Sequence, residues 1–123
     1  MLTIASLPYQ LAICRLDPTT VVPDWALQED FFSITKTDQE LSIVCLEQNV
    51  PVNIQAQRGW HAFKVVGPLD FSLTGILVSI AQPLAEHKIS IFALSTYDTD
   101  YILVKKDTFQ QAQEVLSKHF III

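Results

Sequence analysis

Residues 60–95 read WHAFKVVGPLDFSLTGILVSIAQPLAEHKISIFALS, and this stretch decides the fold. Trp60 to Val66 alternates: Trp60, Ala62 and Lys64 share one parity, His61, Phe63 and Val65 the other, as in a strand. Gly67-Pro68-Leu69-Asp70 has the residues of a tight turn. From Phe71 to His87 the period changes. Leu73, Ile76, Leu77, Ile80, Ala81 and Leu84 recur at spacings of three and four, so the pattern predicts a helix with one apolar stripe. Asp70 or Ser72 is placed to accept the free backbone N–H groups at its start. Pro83 predicts a kink or an early stop, because proline lacks the N–H that the helix needs. Ile89 to Ser95 is almost wholly apolar and predicts a central strand.

The pattern continues on both sides. Thr96-Tyr97-Asp98-Thr99 reads as a turn and Asp100 to Lys105 as a strand. A second helix, capped at Asp107 or Thr108 and running to about Lys118, carries Phe109, Ala112, Val115 and Leu116 on its apolar face. Phe120 to Ile123 has the residues of a short strand. The order β-α-β-β-α-β is the split βαβ, or ferredoxin-like, unit, and single-striped helices must cover one face of its sheet. Upstream, Tyr9 to Leu16 reads as a strand, Asp17 to Thr20 breaks it, and a short helix is allowed near Asp24. Phe31–Thr35 and Glu40–Glu47 read as a hairpin around Thr37-Asp38-Gln39. Gln55 to Gly59 marks a seam. The expected fold is α+β: two side-by-side ferredoxin-like units sharing an antiparallel sheet with helices on one face. Residues 1–58 would form a worn N-terminal unit and 59–123 the C-terminal one.

Composition narrows the function. Half of the 123 residues are hydrophobic and 17% are charged, so a sizeable core is expected and disorder is not. Surplus apolar residues suggest surface covered by a second copy, hence a homodimer. The net charge of −5, with Lys and Arg totalling 8 and unclustered apart from Lys105–Lys106, argues against nucleic-acid binding. Cys14 and Cys45 sit in apolar runs as small buried hydrophobes. Neither a signal-peptide pattern nor a membrane-length apolar run is present, so a cytoplasmic protein without membrane partners is expected. His61, His87 and His119 are scattered, and no P-loop, dinucleotide fingerprint or G-x-S-x-G occurs. No metal, cofactor or catalytic residue is expected.

Two polar loops remain. Gly67 to Gly75 joins a strand to a helix N-terminus, where unpaired N–H groups suit a carboxylate, and Gly75 costs about 1 kcal/mol relative to alanine in a helix unless it has a purpose. Ser95 to Asp100 concentrates hydroxyls with Asp98 and Asp100, which suit an ammonium group. Each has a plainer reading, as a capped helix with a packed glycine and as a hairpin turn bonding its own backbone. The two loops do not obviously share an edge of one unit, so a common ligand would lie where two halves or two subunits meet.

Phe63 to Asp70, Thr74-Gly75-Ile76-Leu77, Pro83-Leu84-Ala85, Ile89 to Phe92 and Ser95 to Val104 resemble the small tandem ACT-domain proteins. These are similar to the regulatory domains of aspartate kinases and to the arginine sensors of animal growth control. The resemblance implies a non-catalytic regulatory module that binds a free amino acid or similar small zwitterion between paired units. Carried over by position, it implies Asp70, Phe71, Ser72, Leu73, Thr74 and Gly75 in the first loop and Ser95, Thr96, Tyr97, Asp98 and Asp100 in the second as ligand-binding residues. The arginine-sensing members carry an acidic residue just before the loop glycine. Leu73 and Thr74 stand there here, which points away from arginine. The competing reading is an assembly module that binds no ligand.

Overall fold

A computed structural model describes residues 2–28, 30–70 and 73–123. The strands are β1 (Thr3–Leu16), β2 (Phe32–Lys36), β3 (Leu41–Leu46), β4 (Ala56–Val65), β5 (Ile91–Ser95), β6 (Asp100–Lys105) and β7 (Ile121–Ile122). The helices are α1 (Ile76–Glu86) and α2 (Phe109–Ser117). Two compact units divide the chain: Met1–Pro8 with His61–Ile123, and Tyr9–Trp60. The long strands β1 and β4 each give residues to both.

In the first unit, residues 61–123 follow the expected β-α-β-β-α-β order, and the strands run β5-β6-β4-β1-β7. A four-stranded split βαβ unit would place its last strand beside its first. Here the start of β1 takes that place: Val66 N–H donates to the Thr3 carbonyl at 2.9 Å, and β7 pairs with Thr3 and Ile4 in parallel. The sheet of this unit is therefore not wholly antiparallel. One core joins Phe63 and Val65 of β4, Ile102 and Val104 of β6, Ile4 of β1, Ile80 and Leu84 of α1, and Ala112, Val115 and Leu116 of α2. Strand residues of one parity meet both helices, so the helices lie on one face of this sheet. Phe109 stacks on Phe63 at 4.9 Å between centroids and meets the His61 ring edge-on.

Several local expectations change. Helix α1 begins at Ile76, five residues later than Phe71, because Gly75 has φ +77, a left-handed conformation that an α-helix cannot contain. Gly75 rather than Asp70 or Ser72 precedes the helix, and no side chain caps it. Leu73 and Leu77, counted in the apolar stripe, are exposed. The helix also continues through Pro83 to Glu86, where His87 N–H closes it on the Pro83 and Leu84 carbonyls. Thr108 precedes α2 without capping it; its hydroxyl donates to the Lys105 carbonyl instead. Strand β1 starts at Thr3, before the expected Tyr9, and runs through Pro8, which falls between residues registered with β7 and residues registered with β3.

The second unit orders its strands β2-β3-β1-β4, with Leu11–Leu16 antiparallel to Leu46–Leu41 and β2 antiparallel to β3 as predicted. Among its described residues the connections are 3-10 turns, Asp24–Leu27 and Glu47–Asn49, rather than α-helices. Its core holds Ala12, Cys14, Ala26, Leu41, Ile43, Cys45 and Val50. Both cysteines are free and buried; the hydrogen bond to Cys14, and then burial, push the Cys45 thiol above its usual range.

Candidate functional site

The site lies within the first unit, where β4 and β6 are neighbours, so the end of one strand lies beside the start of the other. Two hydrogen bonds fasten these ends. The Thr99 hydroxyl, buried, donates to the Val65 carbonyl at 2.6 Å, and Leu69 N–H donates to the Asp98 carbonyl at 2.7 Å. Gly67 makes this approach possible: a Cβ there would stand 3.0 Å from the Leu69 nitrogen and 3.1 Å from the Asp98 oxygen. The two polar loops therefore meet inside one unit, with no second half or subunit needed. The expectation of separate edges fails because β4 and β6 run side by side.

Together the loops line an open cavity of about 290 Å³. Of the residues singled out from sequence, Asp70, Leu73, Gly75, Ser95, Thr96, Tyr97, Asp98 and Asp100 line it. Thr74 is exposed and does not, and Phe71 and Ser72 lie outside the described residues. Leu69, Ile76, Leu77 and Thr99 also line it and were missed. Ile76 and Leu77 read as core stripe, Thr99 as a turn residue, and nothing local marks Leu69.

The polar groups divide by chemistry. At the start of α1 the first helical bond runs from Ser79 N–H to the Gly75 carbonyl, so the Ile76 and Leu77 N–H groups precede any helical acceptor. Such groups favour an anion. Asp70, Asp98 and Asp100 also line the cavity, and the Ser95 hydroxyl donates to Asp100 Oδ1 at 2.6 Å and orients it. The Thr96 hydroxyl accepts from Thr99 N–H at 3.3 Å and donates to the Thr99 carbonyl at 3.1 Å, which fixes the turn. Gly75 has no atom within 4 Å of a notional Cβ, so its role is the left-handed turn and not close packing. The histidines are elsewhere: His61 lies against Phe109, His87 Nδ1 is 2.8 Å from the Pro83 carbonyl, and His119 lies beside Phe120.

An α+β unit of β-α-β-β-α-β order is a ferredoxin-like domain, here with a small polar cavity where its first strand-to-helix loop meets its central hairpin. The ACT domain family model matches residues 55–118, and the chain belongs to that family. A second model, described as an N-terminal domain, matches residues 9–53. A crystal structure of a protein from Agrobacterium tumefaciens superposes with a TM-score of 0.93 at 36% identity, covering 99% of this chain and 92% of that one. The crystal structure of aspartokinase alpha and beta subunits shares the fold, with a TM-score of 0.66 at 19% identity over 94% of this chain and 95% of the other. Among curated proteins, the cytosolic arginine sensor for mTORC1 subunit 1 of Bos taurus is 32% identical over 101 residues, 73% of this chain and 31% of the sensor. Human CASTOR3P is 37% identical over 106 residues, 76% of this chain and 65% of its own length. The chain thus spans 31% to 65% of the length of these curated relatives. No helix among the described residues is long and apolar enough to cross a membrane.

Proposed function

We propose that this protein is a non-catalytic regulatory module that binds a free amino acid or similar small zwitterion in the loop cavity. The carrying observation is the convergence of the two loops on one cavity, whose lining includes the start of α1 together with Asp70, Asp98 and Asp100. The α-carboxylate would take the Ile76 and Leu77 amides. The ammonium group would take the carboxylates of Asp98 and Asp100. Membership of the ACT family supports the reading, as does similarity to proteins named as arginine sensors. Residues 1–58 are read as a degenerate ACT-like unit, and the working form as a cytoplasmic homodimer. Regulation would come from different ligand affinities in two states of pairing or partner contact, since only differential affinity shifts an equilibrium.

The test is a thermal-shift screen against the twenty amino acids. A ligand at 100 times its Kd adds about 2.7 kcal/mol of stability. One amino acid should raise the melting temperature, and Asp98→Asn should abolish that rise. Flat melting temperatures with every amino acid at millimolar concentration would leave an assembly module without a ligand.

A further inference from the structure

The loop cavity is walled by more than polar groups. Leu69, Leu73, Ile76, Leu77 and Tyr97 also line it. Two of them are anchored: Leu69 and Ile76 are half-buried and pack against the core of the first unit. The other three are exposed, Leu73 by 52%, Leu77 by 36% and Tyr97 by 81%. Exposed leucines scattered singly need no explanation, but leucines gathered with an aromatic ring on one concave surface mark a place where apolar matter binds. Gly75 puts Leu73 there. Its left-handed backbone delays α1 to Ile76, so Leu73 leaves the helical stripe and lines the cavity instead.

The charges on the cavity say which ligand side chain these walls suit. No lysine, arginine or histidine lines it, whereas Asp70, Asp98 and Asp100 do. An acidic side chain would meet carboxylates and no cation. A basic side chain would meet carboxylates of which Asp70 and Asp98 are exposed, and ion pairs in contact with water contribute little. Asp100 Oδ1 already accepts from the Ser95 hydroxyl. The α-ammonium group draws on these carboxylates whatever the side chain, so it does not discriminate. Apolar contact does, because it grows with the area removed from water.

We infer that the ligand is an amino acid with a large apolar side chain, of the leucine, methionine or phenylalanine kind, and that Leu73 and Leu77 select it. This rests on the amino-acid reading above and names the class of ligand within it. The cavity, about 290 Å³, sits at the small end of ligand pockets, which begin at about 300 Å³. That suits one amino acid and excludes a peptide or a nucleotide.

The experiment is calorimetric titration of the full chain with matched amino acids at up to millimolar concentration. Lysine carries an ammonium on the same unbranched chain that norleucine leaves bare, so the pair separates charge from apolar contact. Norleucine should bind at least tenfold more tightly than lysine. Leucine should exceed alanine by at least tenfold, since one methylene in an apolar pocket is worth about tenfold or more. Leu73→Ala and Leu77→Ala should each weaken leucine at least fivefold and leave alanine within twofold. Leu73→Glu should reverse the norleucine–lysine preference. Lysine binding more tightly than norleucine overturns this inference and leaves the amino-acid reading standing. So does either alanine variant that keeps leucine within twofold or weakens alanine and leucine equally. No binding by any amino acid overturns both.

Discussion

Two hairpin turns in this molecule use the same local chemistry with different results. In Thr37-Asp38-Gln39-Glu40, Thr37 N–H donates to the Glu40 carbonyl at 2.9 Å and Glu40 N–H donates to the Thr37 hydroxyl at 3.2 Å. In Thr96-Tyr97-Asp98-Thr99 the corresponding distances are 2.8 and 3.3 Å. The third carbonyl of each turn accepts a further bond: Gln39 from the Arg15 guanidinium at 3.0 Å, Asp98 from the Leu69 backbone at 2.7 Å. The turns part at the fourth residue. Glu40 is half-buried, whereas Thr99 is buried and its hydroxyl spans 34 residues of sequence to the Val65 carbonyl. One turn closes a hairpin; the other is tied to the strand-to-helix loop and walls a cavity. A threonine turn is thus a local device, and the neighbour it is fastened to decides whether it becomes part of a site.

That contrast can be broken from the strong side. Thr99→Val keeps the shape and removes the donor, leaving the buried Val65 carbonyl short of a partner, which costs about 1–3 kcal/mol. Urea unfolding should show this loss, and any ligand-induced rise in melting temperature should shrink with it. The corresponding change at the first turn is milder. Arg15→Ala removes an exposed bond to Gln39 and should alter stability by about 0.5 kcal/mol or less. If the two losses proved equal, the distinction between a fastened turn and a free-standing one would fail.

The smallest expected effect concerns pH, in the second unit. Asp17 Oδ1 accepts from the Thr19 hydroxyl at 2.6 Å and from Thr19 N–H at 2.9 Å, and these bonds hold its carboxyl below the usual range. A depressed carboxyl contributes stability that is fully present above the unfolded value of about 3.9 and is lost as pH falls through the folded value. Thr19→Ala should therefore lower the melting temperature slightly at pH 6, and the difference should fade in scans toward pH 3. A difference that grew with acidification would reverse the assignment.

The elements of the first unit were legible because their periods are unambiguous. Asp100–Lys105 is a strand at the predicted bounds, and the apolar positions of α2 are those that pack. Helix α1 was over-extended because Leu73 fits the 3.6 period even though Gly75 interrupts the helical backbone; periodicity reports the spacing of side chains and not φ. In the second unit the proline-bounded stretch at Val21–Ala26 gave only a short turn, as its composition allowed. The polar residues of the site were visible as types, while the contribution of Leu69, Ile76 and Leu77 was not, since each is an apolar residue in an apolar pattern.

By itself the sequence determined the strand and helix order of residues 60–123, the apolar faces, and the two polar loops, because these follow from side-chain periodicity and turn chemistry that act within a few residues. Tertiary structure alone decided that β4 and β6 lie side by side and that β1 enters between β4 and β7. It thereby brought loops some twenty residues apart around one cavity. Strand adjacency is set by which faces and edges can be satisfied across the whole unit, a quantity that no local window contains.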